Sequence, residues 1–478
     1  MFKKFPRTFW IANTVELFER WAWYGLFNVL ALYLTLSHSS GALGFTQQQK
    51  GMLMGTITAM VYFLPIFTGS ISDKFGYKKS ILIAFVLYII GFVAMSQFKT
   101  FSFVFLAFAI VGLGAAIFKP LISATVAKTT DSSTSSIGFG IFYMMVNIGS
   151  FVGPIVSSKL RETSWSYVFI SSIIAICFNI ILVIFFYKEP QRVKNNDRIL
   201  TSIKKILNDL WTVVKNLKFL LFLFIIVGFW AVYFQLFYTL PVFIEQWFDT
   251  SILYNAISRL SPWLASVIGT QQEIVNPEMI INIDSLFIIL FQILISTFVM
   301  KCKPLRTMIT GFIVFSIGIG LMFMFNSSIF IIFALLIFSI GEMMSSPKIT
   351  EYIGLIAPKD NKAMYMGTSF LPIAGGNFFA GILSGSVYTS VSDKIFLLQK
   401  YFNQQSWDIP TISESFSQND FIKLACVKMN MSENQLNHFL WNNFHPQNIW
   451  YYYTSIALLS AILLFLYDKF VLNKQKKN

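Results

Sequence analysis

Long apolar runs, separated by short polar and often basic segments, fill most of this chain. A helix that crosses a bilayer needs about 20 mostly apolar residues. Twelve stretches meet that requirement: 9–36, 50–71, 79–97, 102–127, 137–160, 165–187, 217–245, 280–300, 307–325, 328–347, 363–390 and 448–472. They far exceed the roughly 10-residue strands of a membrane barrel. Lipid offers no hydrogen-bond partners, so a spanning segment outside a closed barrel must be helical. The pattern predicts an all-α membrane protein with twelve transmembrane helices.

Two polar interruptions stand out. The first, 188–216, splits the twelve into six and six, which predicts an N-terminal six-helix bundle at 1–187 and a C-terminal one at 217–478. Within it Ile199, Leu200, Ile203, Ile206, Leu207, Leu210, Val213 and Val214 recur at helical spacing, with Lys204 and Lys205 between them. That is the pattern of an amphipathic helix on the inner leaflet; a solvated charged linker is the plainer alternative. The second interruption, about 391–447, is polar and is expected as an outside loop with no assigned role.

Composition agrees. The 478 residues are 55% hydrophobic and 12% charged, and mean hydropathy is +0.65. A soluble domain carries about 25% charged residues, so a soluble enzyme, a disordered tail and a disulfide scaffold are all excluded. The net charge of +14 raises nucleic acid as a partner. However, the basic residues lie in loops between apolar runs, which is a topological signal rather than a phosphate-binding one. With the N-terminus inside, the inside segments hold 25 Lys and Arg and the outside loops nine, Lys50 among them. Both termini are therefore expected in the cytoplasm. No cleaved leader is expected: Met1–Arg7 is basic, but the following run holds Glu16, Glu19 and Arg20 and no small-residue cleavage site. Cys177, Cys302 and Cys426, and His38, His438 and His445, show no metal spacing. No GxxxxGK[ST] is present. No cofactor, no metal and no catalytic residue are expected.

Ionisable groups inside spans carry the chemistry, because each is costly unless paired or facing water. They are Glu16, Glu19 and Arg20 in span 1, Lys119 in span 4, Asp284 in span 8 and Glu342 in span 10. Glu16, Glu19, Arg20, Trp23, Tyr24 and Phe27 share one helix face. That face looks either into a polar cavity or into an internal salt-bridge cluster that orients the bundle. The N-terminal set is neutral and the C-terminal pair carries two negative charges. Two buried carboxylates need protons or a neighbouring cation. Arg20 and Lys119 suit a carboxylate. The whole suits a zwitterion bridging the halves, with protonation tied to occupancy. Close helix approaches are expected at Gly51–Gly55 and Gly149–Gly153, and kinks at Pro65, Pro120, Pro154, Pro241, Pro347 and Pro372.

Glu16-Leu-Phe-Glu19-Arg20, followed by Trp23-Tyr24-Gly25, resembles the ExxER motif of the proton-coupled oligopeptide transporter (POT/PTR) family of the major facilitator superfamily. The loop Gly69–Lys79 resembles the general superfamily motif between spans 2 and 3. Gly112-x-Gly114-x4-Lys119-Pro120 resembles the family's span-4 element, and Phe142-Tyr143-x3-Asn147-x-Gly149-Ser150 its span-5 signature. Phe229-Trp230-Ala231 with Gln235, Gly341-Glu342 with Ser346-Pro347, and Gly376-Asn377 are similar to its elements in spans 7, 10 and 11.

The resemblance implies a major facilitator fold that alternates access and a symporter importing di- and tripeptides with protons. Its partners would be small peptides, protons and the lipid bilayer, and it would act as a monomer. Arg20, Tyr24 and Lys119 would clamp the peptide carboxylate. Glu342 and Asn147 would meet the amine end and backbone, and Tyr62 and Trp230 would line the pocket. Glu16 and Glu19 would bind protons and pair with Arg20 and Lys119. Phe234 stands where many members carry an acid, Trp23 replaces the first Tyr of the aromatic pair, and no intramembrane His is present. Asp284 falls in a stretch where members show S-x-N-P, so it would replace a neutral pocket Asn in the substrate-binding set and either strengthen amine binding or take over a protonation step; a pore-facing Asp at a helix end with no role in transport is the plainer alternative. A transporter of another solute in the same family, or a non-transporting receptor that uses 391–447, are the alternatives. A bacterial inner (plasma) membrane is the expected location.

Overall fold

The computed structural model describes residues 5–131, 134–190, 199–322, 328–358, 362–413 and 415–472. The ends of the chain, 191–198 of the linker and the end of the ninth expected span at 323–327 lie outside the described residues. The chain begins with α1 (Arg7–Thr35), α2 (Gln47–Phe63), α3 (Pro65–Phe75), α4 (Tyr77–Gln97), α5 (Phe101–Lys128), α6 (Ser135–Arg161) and α7 (Trp165–Phe185). The helix α8 (Ile199–Val214) falls in the linker. The seventh expected span is broken into α9 (Leu217–Tyr233), α10 (Gln235–Tyr238) and α11 (Leu240–Trp247), with Pro241 in the first turn of the last piece. Then come α12 (Ser251–Leu260), α13 (Pro262–Ile268), α14 (Pro277–Val299), α15 (Pro304–Leu321) and α16 (Ser328–Ile356). The chain continues with α17 (Lys362–Gly367), α18 (Leu371–Ile382), a π-turn at Leu383–Val387 and α19 (Tyr388–Val391). It closes with α20 (Lys394–Gln404), α21 (Gln418–Met429), α22 (Glu433–Phe444) and α23 (Ile449–Leu466).

Among the described residues, ten helical segments are long and apolar enough to cross a membrane, or eleven if α2 and α3 form one bent span. The two meet at 49° where Pro65 follows Leu64. The remaining candidate, α1, is long enough, but Asn13, Glu16, Glu19, Arg20 and Asn28 interrupt its apolar run.

Packing makes the protein wrap around α1, which lies against α6 and α7. A Cβ at Gly149 would run into the Leu17 carbonyl oxygen, and one at Gly153 would stand 2.6 Å from that of Trp21. α2 lies on α18 in the same way. A Cβ at Gly51 would strike the Gly381 carbonyl oxygen, and one at Gly55 would come within 2.7 Å of the Gly381 Cα. The expected close approaches at both glycine pairs are therefore present, and Gly381 and Gly385 form the unforeseen partner of the first. Pro120 lies inside the continuous α5, and the hydrogen bond it omits is compensated. Proline cannot donate to the carbonyl four residues back, and the Thr68 hydroxyl of α3 donates to that Ala116 oxygen at 2.6 Å.

Three features depart from expectation. Lys50, assigned to an outside loop, is fully buried within α2. The helix starts early because Thr46 and Gln49 form a capping box. Residues 391–447 hold three helices, α20, α21 and α22, where only a loop was expected: Ser417 with Asp420 and Ser432 with Gln435 cap the last two. Residues after the seventh span also fold, as α12 and α13.

Gly51→Leu should overpack the α2–α18 contact and destabilise the protein by about 1–3 kcal/mol. Thermal unfolding of the purified protein, followed by tryptophan fluorescence, should show a lower midpoint; an unchanged midpoint would contradict this packing.

Candidate functional site

Arg20 is held between two acids of its own helix. Its Nε lies 3.0 Å from Glu16 Oε1, and a terminal nitrogen lies 2.6 Å from Glu19 Oε2. All three residues are buried. The Tyr88 hydroxyl of α4 donates a hydrogen bond to the other Glu19 oxygen. One turn further along α1, the Tyr24 ring lies 6.0 Å from the guanidinium carbon. Removing charges from water is costly unless partners and hydrogen bonds replace it, and here a single guanidinium serves both carboxylates.

The expected pairing of Lys119 with the span-1 acids is not seen. Its Nζ stands 3.6 Å from the centroid of the Tyr62 ring, a cation–π contact, and no ion pair within 4.0 Å joins it to a described residue. The Tyr62 ring lies 6.2 Å from that of Phe234, which is 6.0 Å from that of Trp230. Phe234 thus fills the gap between the two expected pocket aromatics.

A cavity of about 820 Å³ opens beside this cluster, within the range of small-molecule sites. Tyr24, Tyr143, Asn147 and Ser150 line it from α1 and α6. Tyr233, Phe237, Asp284 and Glu342 line it from α9, α10, α14 and α16. Of the ten expected site residues, Tyr24, Asn147, Asp284 and Glu342 therefore line the cavity. Glu16, Glu19, Arg20, Tyr62, Lys119 and Trp230 do not. Asp284 is 2% exposed and accepts a hydrogen bond from the Ser339 hydroxyl at 2.5 Å. Ser339 and Glu342 are three residues apart on α16, so they share a face and bring the two carboxylates together. The Tyr233 hydroxyl lies beside Glu342, whose Oε2 has no hydrogen-bond partner among the described residues.

The sequence reading missed Tyr143, Ser150, Tyr233, Tyr88 and Lys50. Tyr143, Asn147 and Ser150 sit at i, i+4 and i+7, a spacing that puts all three on one face. Tyr233 and Phe237 repeat the i, i+4 spacing across the break. Nothing local distinguishes Tyr88 from other mid-helix tyrosines.

At one end of the cavity, polar bonds join the first seven helices to the later ones. Lys50 Nζ donates to the Tyr238 carbonyl oxygen at 2.8 Å, and the Tyr238 hydroxyl, with a single proton to donate, lies within reach of both Met54 O (3.0 Å) and Asn377 Oδ1 (2.8 Å). Gln47 Nε2 donates to Asp393 at 3.1 Å, and Arg161 pairs with Glu278 through two contacts of 2.5 and 3.1 Å. Asn276 donates to Ser158, and Asn282 to the Phe151 carbonyl oxygen. Toward the other end the lining continues through Ser296, Thr350, Gly354, Leu355 and Met366.

The Major Facilitator Superfamily model matches residues 14–271, and the chain belongs to that superfamily. Dipeptide and tripeptide permease A of Klebsiella pneumoniae (strain 342) is 29% identical over 184 residues, 37% of this chain and 36% of the relative. The Escherichia coli (strain K12) protein of that name gives the same figures. The matched stretch is thus about a third of those relatives' length. A crystal structure of a peptide transporter POT with sulfate superposes with a TM-score of 0.69 at 16% identity, covering 98% of this chain and 94% of that one. A POT family transporter with 5-aminolevulinic acid gives 0.68 at 18% identity, over 97% and 96%. The chain is thus a multi-pass membrane protein of the major facilitator superfamily.

Arg20→Ala would leave two buried carboxylates unpaired, at a cost of about 3–5 kcal/mol. It should unfold at a clearly lower temperature than the unmodified protein, and adding Glu16→Gln and Glu19→Gln should restore much of the loss. Equal midpoints for the single variant and the unmodified protein would contradict the pairing.

Proposed function

We propose that the protein is a proton-coupled symporter that imports di- and tripeptides by alternating access. One observation carries this reading: a single cavity is faced by Asp284 and Glu342 on one side and by Tyr24 and Asn147 on the other, with Arg20 behind Tyr24. Such a cavity suits a small zwitterion, and the names of the similar permeases supply the peptide.

In this reading residues 1–187 and 217–478 are the two bundles, and 188–216 joins them at the cytoplasmic surface. Exposed Leu207 and Trp211 of α8 fit the inner leaflet. Arg20, Tyr24 and Lys119 take the peptide carboxylate. Lys119, held by a ring rather than an acid, is the cation available to it. Glu342 and Asn147 take the amine and backbone, with Asp284 beside them, and Tyr62 and Trp230 shape the wall behind. Glu16 and Glu19 exchange protons as Arg20 shifts toward substrate. In the same reading the polar bonds around Lys50, Tyr238 and Arg161 lie toward the outside, and the lining around Thr350 and Gly354 lies toward the cytoplasm.

Liposomes holding the purified protein, given an acid outside and a negative inside, should accumulate labelled dialanine, and unlabelled tripeptide should compete. Lys119→Ala should abolish gradient-driven uptake; full activity would overturn the role of Lys119. Glu342→Gln should weaken competition by free dipeptides about tenfold, as expected for a lost charged hydrogen bond. N-blocked dipeptides should change little, and equal losses for both would mean that Glu342 does not face the amine.

A further inference from the structure

We propose that the central cavity selects peptides with a positively charged side chain, through Asp284 acting together with Glu342. The inference rests on the peptide-transport reading and names the substrate class within it.

The argument is one of uncompensated charge. Asp284, Glu342 and Glu351 line the cavity, and among its described lining residues there is no lysine or arginine. Glu351 is neutralised on its own helix by Lys348, 2.8 Å away. The α1 cluster is also balanced before substrate enters: Arg20 is engaged by Glu16 and Glu19, and with Lys119 the four groups sum to zero. Asp284 and Glu342 are left, both buried and brought to one place by Ser339, with no cation paired to either among the described residues.

The amino terminus of a bound peptide balances one of them and its carboxylate is met by the opposite pole, which leaves the second carboxylate to be balanced by a proton or by another cation. A lysine or arginine side chain answers it directly, because a charge-assisted bond to a buried carboxylate is the strong kind. A neutral side chain does not, and an acidic one adds repulsion that costs affinity. Space permits the longer side chain: below Asp284 the α14 face continues through Ile288 and Gln292 to Ser296, all lining the same 820 Å³ cavity.

The test is competition against labelled dialanine uptake by Ala-Lys, Ala-Gln and Ala-Glu in the same liposomes. A charged hydrogen bond worth roughly 1.5–3 kcal/mol corresponds to about tenfold or more in affinity. Ala-Lys should therefore compete at a concentration at least about tenfold below that of Ala-Gln, with Ala-Glu weakest. Asp284→Asn should bring the Lys-to-Gln ratio close to one, and Asp284→Glu should keep it. The ratio can also be read as ligand-induced thermal stabilisation of purified protein, which needs no turnover. Equal competition by Ala-Lys and Ala-Gln in the unmodified protein overturns the inference while leaving peptide transport intact, as does an unchanged ratio in Asp284→Asn. Uptake of no dipeptide by folded protein overturns the peptide-transport reading and this inference with it.

Discussion

Three charges on one helix, in a chain that must live in lipid, set the terms for the rest of the molecule. An unpaired charge in a low-dielectric interior is costly, and a buried pair is tolerable only when hydrogen bonds fill the remaining positions. Arg20 lies within ion-pair distance of Glu16 and Glu19 at once, and Tyr88 donates a hydrogen bond to Glu19. α1 must then be enclosed by other helices, and the small residues of α6 make the enclosure possible. Gly149 and Gly153 let the α6 backbone lie against the carbonyls of Leu17 and Trp21, which flank the ionic residues. Side chains at those two glycines would push α6 away from the buried ion cluster.

The second constraint is an asymmetry along the helices. Backbone contact between α2 and α18 through Gly51, Gly55 and Gly381, the buried Lys50 and the Arg161–Glu278 pair all lie toward one end. These contacts join residues far apart in sequence and are mostly polar. Polar bonds can be exchanged for water when a surface opens, which a large apolar interface cannot do cheaply. A seal of this composition is suited to breaking and remaking.

Much of the fold was legible because lipid leaves few choices. Run length and the absence of backbone partners in hydrocarbon made helices the expected state, and the glycine pairs of α2 and α6 marked real contacts. Residue-level reading failed where hydropathy is a poor guide. Lys50 looked like a loop residue because it stands at the very edge of the 50–71 stretch, yet Thr46 and Gln49 start the helix earlier. The helices α21 and α22 are polar enough to pass for loop, and only their capping serines mark them. In the site, the ionisable residues were visible as intruders in apolar runs, whereas the partners that complete them were not. Nothing along the chain distinguishes Tyr88, or shows that Lys119 would rest on Tyr62 rather than on an acid. Partnerships across tens of residues depend on how helices pack, and a single helix face does not reveal them.

The central claim is that charge balance in the buried network ties peptide entry to proton entry. It is tested most directly by liposomes that contain the protein and a trapped pH-sensitive dye, with equal pH on both sides and a negative-inside potential. Adding a neutral dipeptide outside should acidify the interior, and adding none should not. Peptide accumulation inside without acidification would contradict the account.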